Sequence, residues 1–311
     1  MTRLALSLCL VVSCLAAPTW LARAQDTPPT SHGFAGGDVA IEDVLDALAN
    51  AHADNFRPIG TTSTTFQMQL TGAIDAAWRP ETNAQRRGWL AEIAAWRLAD
   101  RLGLDSVPPA VVRLVDRGQL RRRFDPEFEG DPDAVIAALV ATGTSVRGAA
   151  SYWIPNLART TDLDGAAGIL RWSSWLAPGA DIPPDRAALA RDLSSMAVFD
   201  LLIGNADRGS GANMRTVESR GVVRLAIRDH NLAFAARPAE AQWERMLTML
   251  RRARRFSRAF VERLEALDEA GVRDAVADEV AGALLDEEQI AAVMDRREAA
   301  LSWIGALVEA H

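Results

Sequence analysis

The chain contains no lysine. All 34 basic residues are arginine, set against 41 acidic residues, and the formal net charge is −7. Such a balance gives no general attraction to a polyanion, so a nucleic-acid partner is not expected. Cysteine is almost missing: Cys9 and Cys14 are the only two, both within the first 25 residues. The rest of the chain has no thiol chemistry and no disulfide framework. The four histidines, His32, His52, His230 and His311, are scattered with no pair at metal-ligand spacing, which argues against a zinc site. There is no G-x-S-x-G elbow and no Walker A loop. Past the first 25 residues no apolar run is long enough to span a bilayer. What remains is 49% hydrophobic and 24% charged, the balance of a globular protein, and 311 residues suffice for two lobes with a substantial core.

Residues 1–24 have the form of an export signal. Arg3 supplies the positive start, Leu4 to Ala17 a short apolar stretch, and Ala22-Arg23-Ala24 a small-x-small cleavage site. The alternative is lipidation at Cys14. The apolar "LAAPTWLA" after it is unlike a polar tether, so the pattern favours cleavage. An exported location, periplasmic or extracellular, follows, with no transmembrane segment in the mature chain.

Residues 25–57 read as a leader rich in Pro and Gly followed by a short helix over 39–53. Residues 58–80 alternate, are rich in Thr and predict two or three antiparallel strands. Residues 86–104 predict an amphipathic helix stopped by Gly103. Extended chain around an Arg-Gly turn follows, then a helical or irregular insertion over 125–148. Beyond about 160 the periodicity is helical. One helix is expected to start at Asp185 as N-cap, a strand covers 221–228, and helices cover about 241–268 and 287–309. Asp286 and Gln289 are spaced as a capping box for the last. The pattern is α+β in two lobes, with 58–150 as the N-lobe and 151–311 as the C-lobe. Trp153, Trp172, Trp175 and Trp303 sit among apolar neighbours and are expected in the core. The run Arg251, Arg252, Arg254, Arg255 and Arg258 is expected on a solvated face.

Several polar residues stand out by their order. "GTTST" lies at a strand turn (60–64), Arg79 ends an apolar strand, and Glu92 interrupts an Ala/Leu/Trp helix. Asn205, Asp207, Arg208 and Asn213 crowd the loop after a second helix, and Asp229 follows a strand. Carboxylates and carboxamides are hard oxygen ligands for a divalent cation. A carboxylate within reach of a hydroxyl can orient it and take its proton.

"VFDLLIGNADRGSGAN" (198–213) followed by "LAIRDHNLAF" (225–234) resembles the catalytic segments of the atypical kinases related to HipA. That group includes the secretory-pathway Golgi casein kinase and four-jointed proteins and the type II phosphatidylinositol 4-kinases. Its loop commonly reads G-N-x-D-R and its metal motif D-N-G-x-x-F. "AAWRPE" (76–81), "LAEIAAWRLADRLGLDSVPPAVV" (90–112) and "SYWIPNL" (151–157) are similar to the group's cation strand, glutamate helix and hinge. The resemblance spans about 58–309. It implies a two-lobed protein-kinase-like fold that transfers a phosphoryl group from ATP, with Mg²⁺ or Mn²⁺, to a hydroxyl on a protein, lipid or sugar. By the same resemblance Asp207 is the base, with Asn205 and Arg208 beside it. Asn213 and Asp229 are the metal ligands, and Glu92 pairs with the strand cation, whose place Arg79 takes. Thr61 to Thr65 form the phosphate-covering turn, with Thr61, Thr62 and Ser63 as its cofactor-binding residues. Asn213 lies six residues after Asp207 where five is common, Gly209 stands for His, and His230-Asn231 stands for Asn-Gly. The alternatives are a nucleotide-binding or empty scaffold and an AMP-transferring relative.

Overall fold

Alternation builds the first lobe. In the strands β1 (Ala53–Pro58), β2 (Phe66–Leu70) and β3 (Asp75–Pro80), every second or third residue is buried. Phe56, Phe66, Met68, Ala76 and Trp78 point to one face, where the rings of Phe56, Phe66 and Trp78 meet at 5.5–6.4 Å. Such ring pairs add about 0.5–1.5 kcal/mol each beyond their burial. In β3 the opposite face carries Ala77 and Arg79, because side chains alternate with a period of two. The computed structural model describes residues 39–60, 64–72, 74–163, 165–208 and 213–309, all within one compact unit spanning 31–311. The expected export signal and Thr61, Thr62 and Ser63 lie outside the described residues.

The sheet runs β1-β2-β3-β6-β4, antiparallel throughout, with β5 (Ala141–Thr142) also paired to β6 (Ser145–Tyr152). Helix α1 (Ile41–Asn50) packs Val44 and Leu48 on the aromatic face. Helix α2 (Gly88–Arg101) covers the other, burying Ile93, Ala94, Ala95 and Leu98. Strand β4 (Ala110–Asp116) is followed by short helices α3 (Arg117–Arg122) and α4 (Pro132–Ala137). Gly148 of β6 is required by space. A Cβ there would lie 2.5 Å from the Arg79 carbonyl oxygen and 2.7 Å from the Trp78 indole nitrogen.

The second lobe is helical. It comprises α5 (Gly165–Trp175), the long buried α6 (Ala187–Ile203), the hairpin β7 (Met214–Ser219) and β8 (Val222–Ile227), α7 (Glu240–Arg251), α8 (Arg258–Ala266), α9 (Glu269–Ala275), a small hairpin β9 (Ala277–Asp278) and β10 (Gly282–Ala283), and α10 (Glu287–Glu309). Arg220 and Gly221 both have positive φ, 51° and 77°, the two-residue turn that matches strand twist. Asp286 and Gln289 form the expected capping box, each side chain bonded to the other's backbone N–H at 2.9 and 3.0 Å.

Four expectations are corrected. The first strand begins at Ala53, inside the span read as helix. The Arg-Gly turn is helix α3, because the Asp116 side chain accepts from Gln119 N and starts a helix. The supposed insertion at 125–148 contains β5 and the start of β6. Asp185 does not cap α6: it lies in a 3₁₀ turn, Pro184–Arg186, and pairs with Arg186. Trp172 and Trp175 are buried as expected, whereas Trp153 is half-buried and lines a cavity. No helix among the described residues is long and apolar enough to cross a membrane.

Candidate active site

Helix α6 ends because Gly204 adopts a left-handed conformation (φ 71°, ψ 32°). Asn205 N bonds back to Asp200 O at 2.8 Å and Gly204 N to Leu201 O at 3.1 Å, a Schellman closure. The chain then turns into the polar loop. Asn205 Oδ1 accepts from Asp207 N at 3.2 Å, which fixes the loop's first bend. Asp207 is exposed, and its Oδ2 accepts from Asn213 Nδ2 at 3.0 Å.

The β7–β8 hairpin then aligns the two loops. Met214 pairs with Ile227, so Asn213 and Arg228 emerge side by side at its open end. Arg208 holds them there. Its guanidinium is buried and doubly bonded to Asp200 of α6 at 2.9 and 3.1 Å, and it donates to the carbonyls of Asn213 and Arg228. Arg208 is therefore the internal brace of the loop, and neither it nor Asn205, Asp207 or Asn213 lines the cavity that Asp229 borders. Burial raises the pKa of Asp200, against the pull of Arg208.

His230 is buried beside this brace. Its Nδ1 lies 3.5 Å from Arg208 Nη2 and its Nε2 3.2 Å from the Ile227 carbonyl, a setting for a neutral ring protonated on Nε2. Burial, and then the Arg208 charge, hold its pKa well below the usual value. The residue before it, Asp229, has φ 66°. That left-handed conformation costs a non-glycine residue about 1–2 kcal/mol, least for Asn and Asp. It is held by Asn205 Nδ2 on Asp229 O at 3.4 Å and by Glu92 Oε2, which accepts from His230 N at 3.1 Å.

Glu92, which the resemblance pairs with the strand cation, is 8% exposed. Its Oε1 lies 3.3 Å from Arg79 Nε. Arg79 Nη2 in turn donates to Asp229 Oδ1 at 3.1 Å. The Asn231 carboxamide, in its better-bonded orientation, donates to the same Oδ1 at 2.8 Å and accepts from Arg79 Nη1 at 3.3 Å. Burial, and then Asp229, raise the Glu92 pKa, while Arg79 and the His230 N–H pull it down. Arg79, Glu92 and Asp229 form one wall of a cavity of about 320 Å³. Its remaining lining is mostly apolar, with Ile59, Trp153, Ile154 and Leu157 at the strand turn and the hinge.

The side-chain oxygens of Asp229 and Asn213 are of the hard kind that a divalent cation takes. Asp229 Oδ2 and Asn213 Oδ1 accept no hydrogen bond from any described residue, so each retains an oxygen to offer. No group of three or more His, Cys, Asp or Glu among the described residues can hold a metal alone. A cation here would need oxygens from its ligand as well, as Mg²⁺ does at phosphates.

No protein-family model and no curated protein sequence matches the chain. Solved structures do. The Golgi casein kinase matches with TM-score 0.64 at 16% identity, over 90% of this chain and 77% of that one. The same kinase with Mn/ADP bound gives 0.61 at 15%, over 87% and 76%. Hydra Fam20 with sugar gives 0.63 at 19%, over 88% and 90%. The fold is protein-kinase-like. In this kinase-like frame the six-stranded sheet with α2 is the N-lobe and the helical part the C-lobe. The cavity lies where Arg79 and Glu92 of the first meet Asp229 of the second. Thr65, which the resemblance includes in the turn 61–65, also lines the cavity; sequence reasoning assigned no role to Arg228 in its lining or to Asn231, which bonds to Arg79 and Asp229. Arg228 directly precedes Asp229 and Asn231 follows it by two residues, and that proximity was the available signal.

Proposed function

We propose that the chain binds a nucleoside triphosphate with a divalent cation in this cavity and transfers the terminal phosphoryl group to a hydroxyl acceptor. One observation carries the reading. Arg79 contacts both Glu92 and Asp229 at one cavity wall, although Asp229 is 150 residues away in sequence. Charges clustered in a half-buried cleft cost free energy and mark functional sites more often than structural ones. The neighbour solved with Mn/ADP bound supports a nucleotide and a divalent cation.

In this reading Asp207 orients the acceptor hydroxyl and takes its proton. Asn205 fixes the Asp207 backbone, and Arg208 is a positioning residue acting through Asp200. Asn213 and Asp229 offer oxygens to Mg²⁺ or Mn²⁺, which when bound neutralises charge developing on the phosphoryl oxygens. Thr61, Thr62 and Ser63 cover the phosphates. Export by the first 24 residues places the activity outside the cytoplasm, and the acceptor is a protein, lipid or sugar hydroxyl.

The test is a thermal shift of residues 26–311 with ATP, with and without Mg²⁺ or Mn²⁺, followed by transfer of labelled γ-phosphate. A ligand that binds only the folded state raises the melting temperature. A metal-dependent rise that is lost in Asp229→Ala supports the reading, and an unaffected variant overturns it. A second reading, nucleotide binding without transfer, is favoured by the three contacts that already engage the Arg79 fork. A shift with no labelled product would select it, and intact mass separates phosphate from AMP addition.

A further inference from the structure

The cavity contains a second guanidinium that the sequence motifs do not account for. Arg228, between β8 and Asp229, lines it together with Arg79. The two arginines differ sharply. Arg79 is engaged by Glu92, Asp229 and Asn231. Arg228 is half-buried, its Nε is shielded from solvent without a hydrogen-bond partner, and the guanidinium forms no salt bridge with a described residue. Guanidinium has five donors and no acceptor and stays charged. A charged donor withdrawn from water without an acceptor is costly, and the cost is offset only if something else brings the acceptor.

Across the same cavity is Thr65, at the foot of the turn between β1 and β2. It is 8% exposed, and its hydroxyl is also without a partner. Two unsatisfied polar groups, one from each lobe, therefore border one space. Asp229 and Glu92 attract the Arg228 charge while Arg215 and Arg208 oppose it, and it lines the same cavity as Arg79, Glu92 and Asp229. The apolar surfaces of Ile59, Trp153, Ile154 and Leu157 are left for a base.

We propose that Arg228 is the cation that touches the phosphates of the bound nucleotide, with the Thr65 hydroxyl as the contact from the opposite lobe. Arg79 is then a positioning residue that ties Glu92 to Asp229. This inference rests on the nucleotide reading above. It moves the role of ligand-facing cation from the strand position to a residue next to the metal-loop aspartate.

The experiment is calorimetric titration of residues 26–311 with adenosine, ADP and GDP in Mn²⁺, for the unsubstituted protein, Arg228→Gln, Arg228→Leu and Thr65→Val. The ratio of ADP to adenosine affinity is expected to fall about ten- to hundredfold in both Arg228 variants, as for loss of a charge-assisted hydrogen bond. Adenosine binding stays within about twofold. Thr65→Val loses about fivefold. Folding is controlled for, because removing a half-buried charge with no salt-bridge partner leaves the ligand-free melting temperature of Arg228→Leu unchanged or raised; a fall would indicate a structural role and overturn the proposal. An unchanged ADP-to-adenosine ratio also overturns it, while the nucleotide reading stands. So does a change confined to the ADP-to-GDP ratio, which would move the contact to the base. No binding of any nucleotide by the unsubstituted protein overturns both readings.

Discussion

Arg79 illustrates how much one side chain's shape decides. Its planar fork reaches Glu92, Asp229 and Asn231 in different directions. An ammonium is a point charge on a flexible stem and cannot reproduce that spread. Arg79→Lys should fold but lose about 1.5–3 kcal/mol, the worth of one hydrogen bond to a charged group. The check is a lower urea midpoint with an unchanged slope. His230 gives a pH signature. Its folded pKa is depressed by burial and then by Arg208, so the unfolded chain takes up the proton first. Stability from this group is therefore complete above the unfolded value near 6.5 and is lost as pH falls below it, by up to about 1.4 kcal/mol per pH unit. The measurement is the difference in unfolding free energy between pH 7.5 and 5.5. His230→Asn should show a smaller difference than the unsubstituted protein.

At the scale of elements, the junction between α6 and its loop depends on backbone conformation. Gly204 is left-handed, and Arg296 of α10 lies over it, donating to the Leu202 and Ala235 carbonyls at 2.9 and 3.0 Å. Burial lowers the Arg296 pKa to about 10. Gly204→Ala should cost about 1–2 kcal/mol from φ alone, and a hypothetical Cβ already lies 3.2 Å from the Arg296 guanidinium carbon. Denaturant unfolding reads this loss. Local signals of this kind were legible in the sequence: the glycine after α6, the capping box before α10, and the periodicity of α2. Elements defined by distant partners were not. Strand β1, "ADNFRP", looks polar because only Ala53 and Phe56 are buried, and its pairing with β2 decides it. Strand β6 is built largely of small residues, and its identity comes from β3 and β4 on either side. Asp185 followed the N-cap preference but sits one turn early, in the 3₁₀ lead-in.

Across the whole molecule the arginines act as ties between distant segments. Arg97 and Arg101 join α2 to Asp278 and Asp274, and Arg224 joins Asp105 to the buried Asp192 of α6. Asp192 also accepts from Leu225 N at 3.1 Å. Asp192→Ala should therefore cost about 3 kcal/mol or more, because it strands a buried cation and a backbone donor together. A urea titration monitored by tryptophan fluorescence checks it. The order of Arg79, Glu92, Asp207, Asn213 and Asp229 was readable from the chain. The meeting of Arg79, Glu92 and Asp229, and the placing of Asn213 beside Arg228, were not, because the latter depends on Asp200–Arg208 and the β7–β8 register, neither of which carries a motif. The exclusive use of guanidinium has a practical result for labelling chemistry. Acyl-phosphate nucleotide probes report an occupied cleft by acylating a nearby lysine amine. This cleft offers two guanidinium groups and no such amine, and guanidinium is not nucleophilic near neutral pH. A proteome labelled in that way would pass over a fully occupied site here, whereas a dicarbonyl reagent, which condenses with guanidines, would register it through protection by ligand.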